Sequence, residues 1–381
     1  MGAGLAGTTV AAVLGQKGLR VILVDPRPCC PPIFKAEKID QEQVNLLRKL
    51  GLLGHLLEYS GQVREVRVGY DGRIIKTVRI EQYGIAYADM VNALRAHLPT
   101  KVEYHSGRVE DITNSSDIQR VRLTGGEELT SRLIVVASGS SPRLESQLRL
   151  QRRMIRRNQS YVFGFTIAPL DSQAFDFDSV TYYSLEPSAR IDYLTLFKIR
   201  QTMRANLFVF RSATDPWVRD FILGPQQMLR RWLPKLDQVS GDFRIISKIE
   251  SGGADLYRVD GNPSPGVVMI GDAFQSVCPS TGMGLDKILT DVDVLSECVP
   301  NWLATPGMDS GKLADFYNHP RKLATDSRAL RRAINQRQAA TSAALRWRIQ
   351  RLLRHLRWHA LGAINGSVAS EDHVSMRKSA N

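Results

Sequence analysis

The stretch Gly2-Ala3-Gly4-Leu5-Ala6-Gly7, running into small apolar residues as far as Gln16, constrains this chain more tightly than any other feature. Glycines at this spacing permit a sharp turn into a helix, close approach of backbone N–H groups to a diphosphate, and tight helix–sheet contact. The partial positive charge of the helix start favours the same anion. Leu5 to Gln16 suits a helix packed on a sheet, with Gly18 at its end. Val21 to Val24 is a continuous apolar run, as in buried parallel strands, and Asp25 at its carboxyl end can accept hydrogen bonds from ribose hydroxyls. Helix, strand and acid in register point to dinucleotide binding rather than to a glycine-rich turn that serves packing alone.

Such a turn is normally fed by a buried strand, whereas Met1 alone precedes this one. In a sheet of this kind that strand is central and paired on both sides. Without it two rows of backbone groups go unpaired at ~1–3 kcal/mol each, more than the ~5–15 kcal/mol net stability of a domain. The expectation is that the working protein begins about five or more residues upstream, with an apolar segment of strand length. The alternative is that another segment fills the gap.

The rest of the chain, 381 residues with 43% hydrophobic and 23% charged, is long enough for a large core and two or three domains. No run of 18 apolar residues and no targeting segment is present, which reads as cytoplasmic. Cys29, Cys30, Cys278 and Cys298 lack zinc-ligand spacing, and His355 and His359 lack a third ligand, so no metal is expected. Asp40 to Leu50 has helical spacing with Asp40 as its cap, and Ala88 to Leu98 is a second helix. Strands are expected at Glu65–Val68 and Arg73–Val78 around an Asp71-Gly72 turn, then near 102–105, 109–112, 121–123 and 133–137. Aromatic and β-branched stretches at 161–167, 179–184, 193–199 and 206–211 suggest an antiparallel sheet, followed by helices at 217–222 and 226–233 and one strand at 243–250. Val267 to Ile270 returns as a buried strand before a helix from about Gly284 to Cys298.

That last strand opens a second glycine motif, Gly271-Asp272-Ala273 through Pro279, Gly282 and Gly284 to Asp291. Here the chain resembles the FAD-dependent oxidoreductases of the aromatic-hydroxylase type (group A flavoprotein monooxygenases), relatives of geranylgeranyl reductases, lycopene cyclases and flavin halogenases. The resemblance extends from Gly2 to about Leu295. It implies an α/β fold: a Rossmann-like FAD-binding parallel sheet (1–60, 85–160 and 255–300), an interleaved antiparallel substrate domain (61–84 and 161–254) and C-terminal helices. A basic helical region (301–365) and a disordered tail (366–381) would complete the chain. It also implies cofactor-binding roles for Gly2, Gly4, Leu5, Ala6, Gly7, Asp25, Lys35, Val109, Gly139, Gly271, Asp272, Pro279, Gly282, Met283 and Gly284. The implied activity is hydroxylation of an aromatic or other apolar small molecule through a flavin peroxide, with NADPH or NADH as reductant. No side-chain nucleophile is required, and no catalytic residue is assigned. Tyr182, Tyr183, Phe197, Phe208, Phe210 and Pro279 are candidates to line the substrate cavity; the plainer reading of the strand aromatics is core.

Departures keep two other classes open. The family has His, Pro and Asn where this chain has Gln275, Cys278 and Asp286. Its middle Ala-Asp-Gly motif reads Ala137-Ser138-Gly139-Ser140-Ser141-Pro142-Arg143. A reductase or dehydrogenase of an isoprenoid or lipid is one alternative; a non-catalytic flavin-binding protein is the other.

The net charge of +13 concentrates late: Arg321 to Leu361 holds eleven Arg or Lys against one acid, Asp326. Leu345, Ile349, Leu352, Leu353 and Leu356 form an apolar stripe among arginines. A helix docking that stripe on the protein's own core is the plain reading, and peripheral contact with an anionic membrane the second. No nucleic-acid-reading module is present.

Overall fold

The computed structural model describes residues 1–378 apart from 142–146, 149, 172–173, 185 and 261–263, with side chains described as far as Gly362. In chain order the strands are β1 (Val21–Asp25), β2 (Ala36–Ile39), β3 (Gly61–Tyr70), β4 (Arg73–Ala86), β5 (Val102–Ser106), β6 (Val109–Thr113), β7 (Gln119–Leu123), β8 (Glu128–Ser131), β9 (Ile134–Val136), β10 (Gln151–Pro169), β11 (Ser179–Tyr183), β12 (Ile191–Ile199), β13 (Thr202–Val209), β14 (Phe243–Ile245), β15 (Glu250–Asp260) and β16 (Val267–Met269). The helices are α1 (Leu5–Gln16), α2 (Gln41–Lys49), α3 (Gly54–Leu57), α4 (Tyr87–Ala96), α5 (Pro216–Leu223), α6 (Pro225–Trp232), α7 (Asp237–Ser240), α8 (Met283–Leu303), α9 (Ser310–Tyr317), α10 (Pro320–Thr341) and α11 (Leu345–Lys378).

Two layers of β-structure organise these elements. The parallel part consists of two strand pairs, β1 with β5 and β16 with β9. Between them lie the first residues of the chain: the Gly2 N–H donates to the Val24 carbonyl (2.8 Å), and the Met1 carbonyl accepts from the Ala137 N–H (2.8 Å). Helix α1 is buried along almost its whole length, because its Ala, Gly and Val side chains let it sit close on this layer beside α4 and α8. Its core joins Val10, Leu14, Met90, Leu94, Leu289 and Val292. Asp40 caps α2 through a reciprocal capping box with Gln43.

The larger sheet has nine strands in the order β14-β10-β13-β12-β11-β3-β4-β2, with β15 also on β10. All its pairings are antiparallel except β11 on β3. One face packs on α5 to α7 through Phe163, Phe165, Leu194, Leu207, Trp217 and Phe221. The sheet reaches beyond 61–84 and 161–254, since it takes in Ala36–Ile39, begins β10 at Gln151 and carries β15 to Asp260. The single strand expected over 243–250 ends at Ile245, Glu250 instead opens the eleven-residue β15, and β2, β8 and the rest of β15 had no counterpart in the sequence reading. The extended start of β10 is rich in arginine and looks like loop. Its cross-strand partners supply the compensation: Arg153 pairs with Asp260 at 2.7 Å, and the Arg152 guanidinium lies 3.8 Å from the Tyr257 ring centre.

Helix α11 corrects two expectations. It is helical to Lys378, where a disordered tail from 366 was expected; no proline follows Pro320 to break it, and 379–381 lie outside the described residues. It does dock on the protein, but with its other face. Trp358 packs on Tyr70 (5.3 Å) and Tyr183 (5.1 Å), and the His355 ring nitrogen meets the Tyr70 hydroxyl at 2.5 Å. The apolar stripe points outward, with Leu345 69% and Leu353 61% exposed.

Candidate functional site

The glycine turn is closed so tightly that side chains have no room. A Cβ on Gly7 would lie 1.8 Å from the Gly2 carbonyl oxygen, and one on Gly2, which has φ +90°, would lie 2.6 Å from the Ala137 oxygen. Gly4 caps α1 without a side-chain hydrogen bond, so the helix start faces outward with backbone alone. The Leu5 N–H donates to the Tyr87 hydroxyl (3.1 Å), whose pKa burial pushes up to about 12. Asp25 is buried: one oxygen accepts from the Ala3 N–H (2.9 Å) and the other from the Arg27 N–H (3.0 Å). The Arg95 guanidinium donates to the Ala3 and Arg27 carbonyls and so ties α4 to the turn.

A cavity of about 370 Å³ opens in front of this turn. Gly2, Gly4, Leu5, Ala6, Asp25, Val109, Gly139 and Asp272 all line it, together with Tyr87, Arg27, Arg108 and Ser138. Asp272 arrives from the second motif. Gly271, at φ +59°, turns the chain out of β16 and donates its N–H to Asp291 at 2.8 Å. Burial raises the Asp272 carboxyl above the usual carboxylate range, while Lys35 and Lys287 pull it back. Lys35 is exposed, its ammonium 5.8 Å from the Tyr87 ring centre.

Beneath this loop lies a buried charge network. Lys287 reaches Asp291 (3.1 Å) and Asp326 (2.8 Å), and Lys322 reaches Asp291 (2.7 Å) and Asp326 (3.1 Å). Burial opposes the charge on Lys287, but the two carboxylates outweigh it and raise its pKa. Two cations and two anions thus close on one another and lock α10 to α8 under Gly271.

Compared with known proteins, residues 1–180 match the family model described as lycopene cyclase protein. The kynurenine 3-monooxygenase of Salinispora tropica is 24% identical over 376 residues, covering 86% of this chain and 76% of that one. Among solved structures, p-nitrophenol 4-monooxygenase PnpA from Pseudomonas putida aligns over 97% of this chain and 96% of its own with a TM-score of 0.73 at 15% identity. The chain has the fold of the FAD-dependent monooxygenases. Klebsiella pneumoniae HpxO, solved with FAD and uric acid, shares that fold at a TM-score of 0.70 and 16% identity, over 93% of this chain and 91% of its own.

Within this flavin-monooxygenase fold, Pro279, Gly282, Met283 and Gly284 stand apart from the 370 Å³ cavity, at the start of α8. Pro279 is exposed and opens a 3₁₀ turn, and Gly282 at φ +68° ends it. Gln43 of α2 holds this loop by donating to the Gly282 carbonyl (3.1 Å) and to Asp286 (2.8 Å). Pro142 and Arg143 of the middle motif lie outside the described residues. Of the aromatic candidates, Tyr183 lines two neighbouring cavities and Tyr182 one of them. Phe197 is buried against Gly84, Phe208 packs on Tyr193 at 4.8 Å, Phe210 sits with Leu256 and Cys278, and Tyr182 donates its hydroxyl to the Pro234 carbonyl.

One of the cavities that Tyr183 joins measures about 660 Å³ and lies between β11–β12 and helices α10–α11. Asp192, Gln336, Trp347, Trp358 and several arginines line it. It abuts the Pro279–Gly284 loop: both the Tyr193 hydroxyl (2.7 Å) and the Gln336 amide (3.2 Å) donate to the Ser280 carbonyl. Asp192 went unnoticed in the sequence, although one signal was there, a lone acid opening the apolar run Ile191 to Ile199. Lys287 and Lys322 had no signal, because helical spacing does not reveal which lysines turn inward.

Proposed function

We propose that the chain is an FAD-dependent monooxygenase acting on an aromatic or other apolar small molecule. The observation that carries this reading is the meeting of Asp25 and Asp272, from segments far apart in sequence, on one cavity whose floor is a turn that any Cβ would fill. That arrangement fits FAD. The N–H groups at the start of α1 face a diphosphate, Asp25 accepts from ribose hydroxyls, Asp272 accepts from the ribityl chain, and Gly282 to Gly284 offer backbone N–H groups to the ring edge. Lys35 and Arg108 add positive charge nearby. When bound, FAD supplies the transfer of one oxygen atom from dioxygen to the substrate, with electrons from NADPH or NADH. The chain's own part is to hold, orient and exclude water. Titrating the purified protein with FAD is expected to give a yellow complex that consumes NADPH or NADH and oxygen together; a protein that takes up no flavin in excess overturns the proposal.

A reductase of an isoprenoid or lipid is the second reading, favoured by the lycopene cyclase model over residues 1–180 and by Ser138 in the middle motif. Reduction of a double bond without oxygen uptake would establish it.

Peripheral attachment to an anionic membrane belongs to the same proposal. No helix, among the described residues, is long and apolar enough to cross a bilayer. The outward stripe of α11 instead suits the interface plane, with Leu352 57% and Leu356 57% exposed beside Arg346, Arg348 and Arg357. The protein is expected to sediment with phosphatidylserine vesicles at low salt and to lose about tenfold in partitioning on Leu352→Glu with Leu356→Glu. Absence of sedimentation would sink the idea.

A further inference from the structure

Strand β2 carries a cation with no anion opposite it. On one side of the strand Lys35 and Glu37 turn to the small cavity: both bear on Asp272, and Glu37 also bears on Tyr87. On the other side the strand lies against the nine-stranded sheet, where Asn206 donates to the Ala36 carbonyl (3.4 Å) and the Lys38 ammonium to the Ser179 hydroxyl (3.4 Å). Two residues beyond Lys38, Asp40 caps α2, whose Gln43 holds the Gly282 carbonyl. The strand therefore runs from Asp272, proposed above for the ribityl chain, towards Gly282, proposed for the ring edge, with Lys38 at the end nearer the ring.

The ammonium is half-buried and in no ion pair among the described residues. Ser179 serves it only as an acceptor, because that hydroxyl donates to the Leu196 carbonyl (2.8 Å). The charges around it are committed elsewhere. Asp178 beside β11 engages Lys198 (3.5 Å), Arg204 of β13 lies 3.8 Å from Glu250, Asp286 of α8 takes the Gln43 amide, and β4 sets Gly84 opposite Lys38. Asp40 bears on Lys38, but burial outweighs it and lowers the amine to about 8. An ammonium that the protein desolvates without giving it a carboxylate suits an anion that arrives with the ligand.

We propose that Lys38 faces the cofactor's ring and stabilises the negative charge the ring takes up on reduction. This rests on the flavin reading above and names the residue that tunes the ring. Hydride transfer from NADPH or NADH delivers two electrons and one proton; the nicotinamide leaves oxidised, and the ring keeps one negative charge. A nearby ammonium, short of water, attracts that charge more strongly than the neutral oxidised ring, so the protein holds reduced FAD more tightly than oxidised FAD.

The test is anaerobic titration of the full chain with FAD and with dithionite-reduced FAD, which gives the ratio of the two dissociation constants without any turnover. At pH 7.5 Lys38→Met is expected to cut the preference for reduced FAD about tenfold while oxidised FAD binds within threefold of the parent, and Lys38→Arg should keep the preference. In the parent the preference should fall as the pH climbs above 8, where the amine loses its proton, and Lys38→Met should show no such fall. A yellow protein whose preference is the same in parent and Lys38→Met, or flat between pH 7.5 and pH 9.5 in the parent, overturns the inference and leaves the flavin reading standing. The pH series needs the parent alone and so decides the matter even where a variant does not fold. Failure to take up oxidised FAD defeats the flavin reading by a separate measurement.

Discussion

A valine at position 7 is expected to give a protein that folds around its nine-stranded sheet and takes up no FAD. The Cβ of any residue there would sit 1.8 Å from the Gly2 carbonyl oxygen and 3.3 Å from the Ala137 side chain, so the turn must open. Opening it moves the N–H groups at the start of α1 away from the diphosphate they would face, and displaces the Ala3 N–H from Asp25. The loss should exceed about a hundredfold in affinity, roughly 3 kcal/mol. Fluorescence titration with FAD measures it, with far-ultraviolet circular dichroism as the check on folding. Gly284 provides the contrast, because no atom lies within 4 Å of where its Cβ would be, and Gly284→Ala should leave the unliganded fold unmoved. Affinity within threefold of the parent for Gly7→Val would contradict the role given to the turn.

Replacing Asp192 by asparagine should stabilise the protein, and increasingly so as the pH rises. Burial lifts this carboxyl from 3.8 to about 7, against the opposing pull of Ser280, Arg354 and Arg332. The folded state therefore holds the proton more tightly than the unfolded chain. The stability this group contributes is complete below pH 4 and is lost as the pH climbs through 7, because the folded protein must then carry a buried charge. A difference of about 3 pH units corresponds to roughly 4 kcal/mol at pH 8, and asparagine escapes it. Urea unfolding of parent and variant at pH 5 and pH 8 reads the effect. A gap between the two proteins that stays constant across that range would show that Asp192 ionises as freely as in water.

These residues show where sequence reasoning reached and where it stopped. The turn at Gly2, Gly4 and Gly7, the acid at Asp25 and the Gly271-Asp272 pair were legible because each demands a particular backbone or side chain at fixed spacing. Both motifs were expected on one cofactor, and Asp25 and Asp272 do line one cavity. The cap at Asp40 and the Asp71-Gly72 hairpin were legible for the same local reason. The start of β10 was not, since its arginines are made acceptable in a strand only by Asp260 and Tyr257 on a neighbour about a hundred residues away. Nor was the direction of the α11 stripe. Periodicity reports that a helix has two faces; which of them meets the body depends on the partners, here Tyr70 and Tyr183 for Trp358 and His355. Phe197, Phe208 and Phe210 illustrate the same limit, being aromatic residues on strands that look alike in sequence and differ only in what packs over them.

The division of labour along the chain has an evolutionary corollary. The glycine turn, Asp25, Val109, Gly139 and Asp272 all precede residue 273, whereas Arg332, Gln336, Trp347, Arg354 and Trp358 belong to helices joined by the short link Ser342 to Ala344. Mutation or recombination confined to those two helices would redraw what the larger cavity admits without touching a single group that lines the smaller one. Descendants of such a chain could therefore change the shape and charge of the larger cavity while inheriting the smaller one intact.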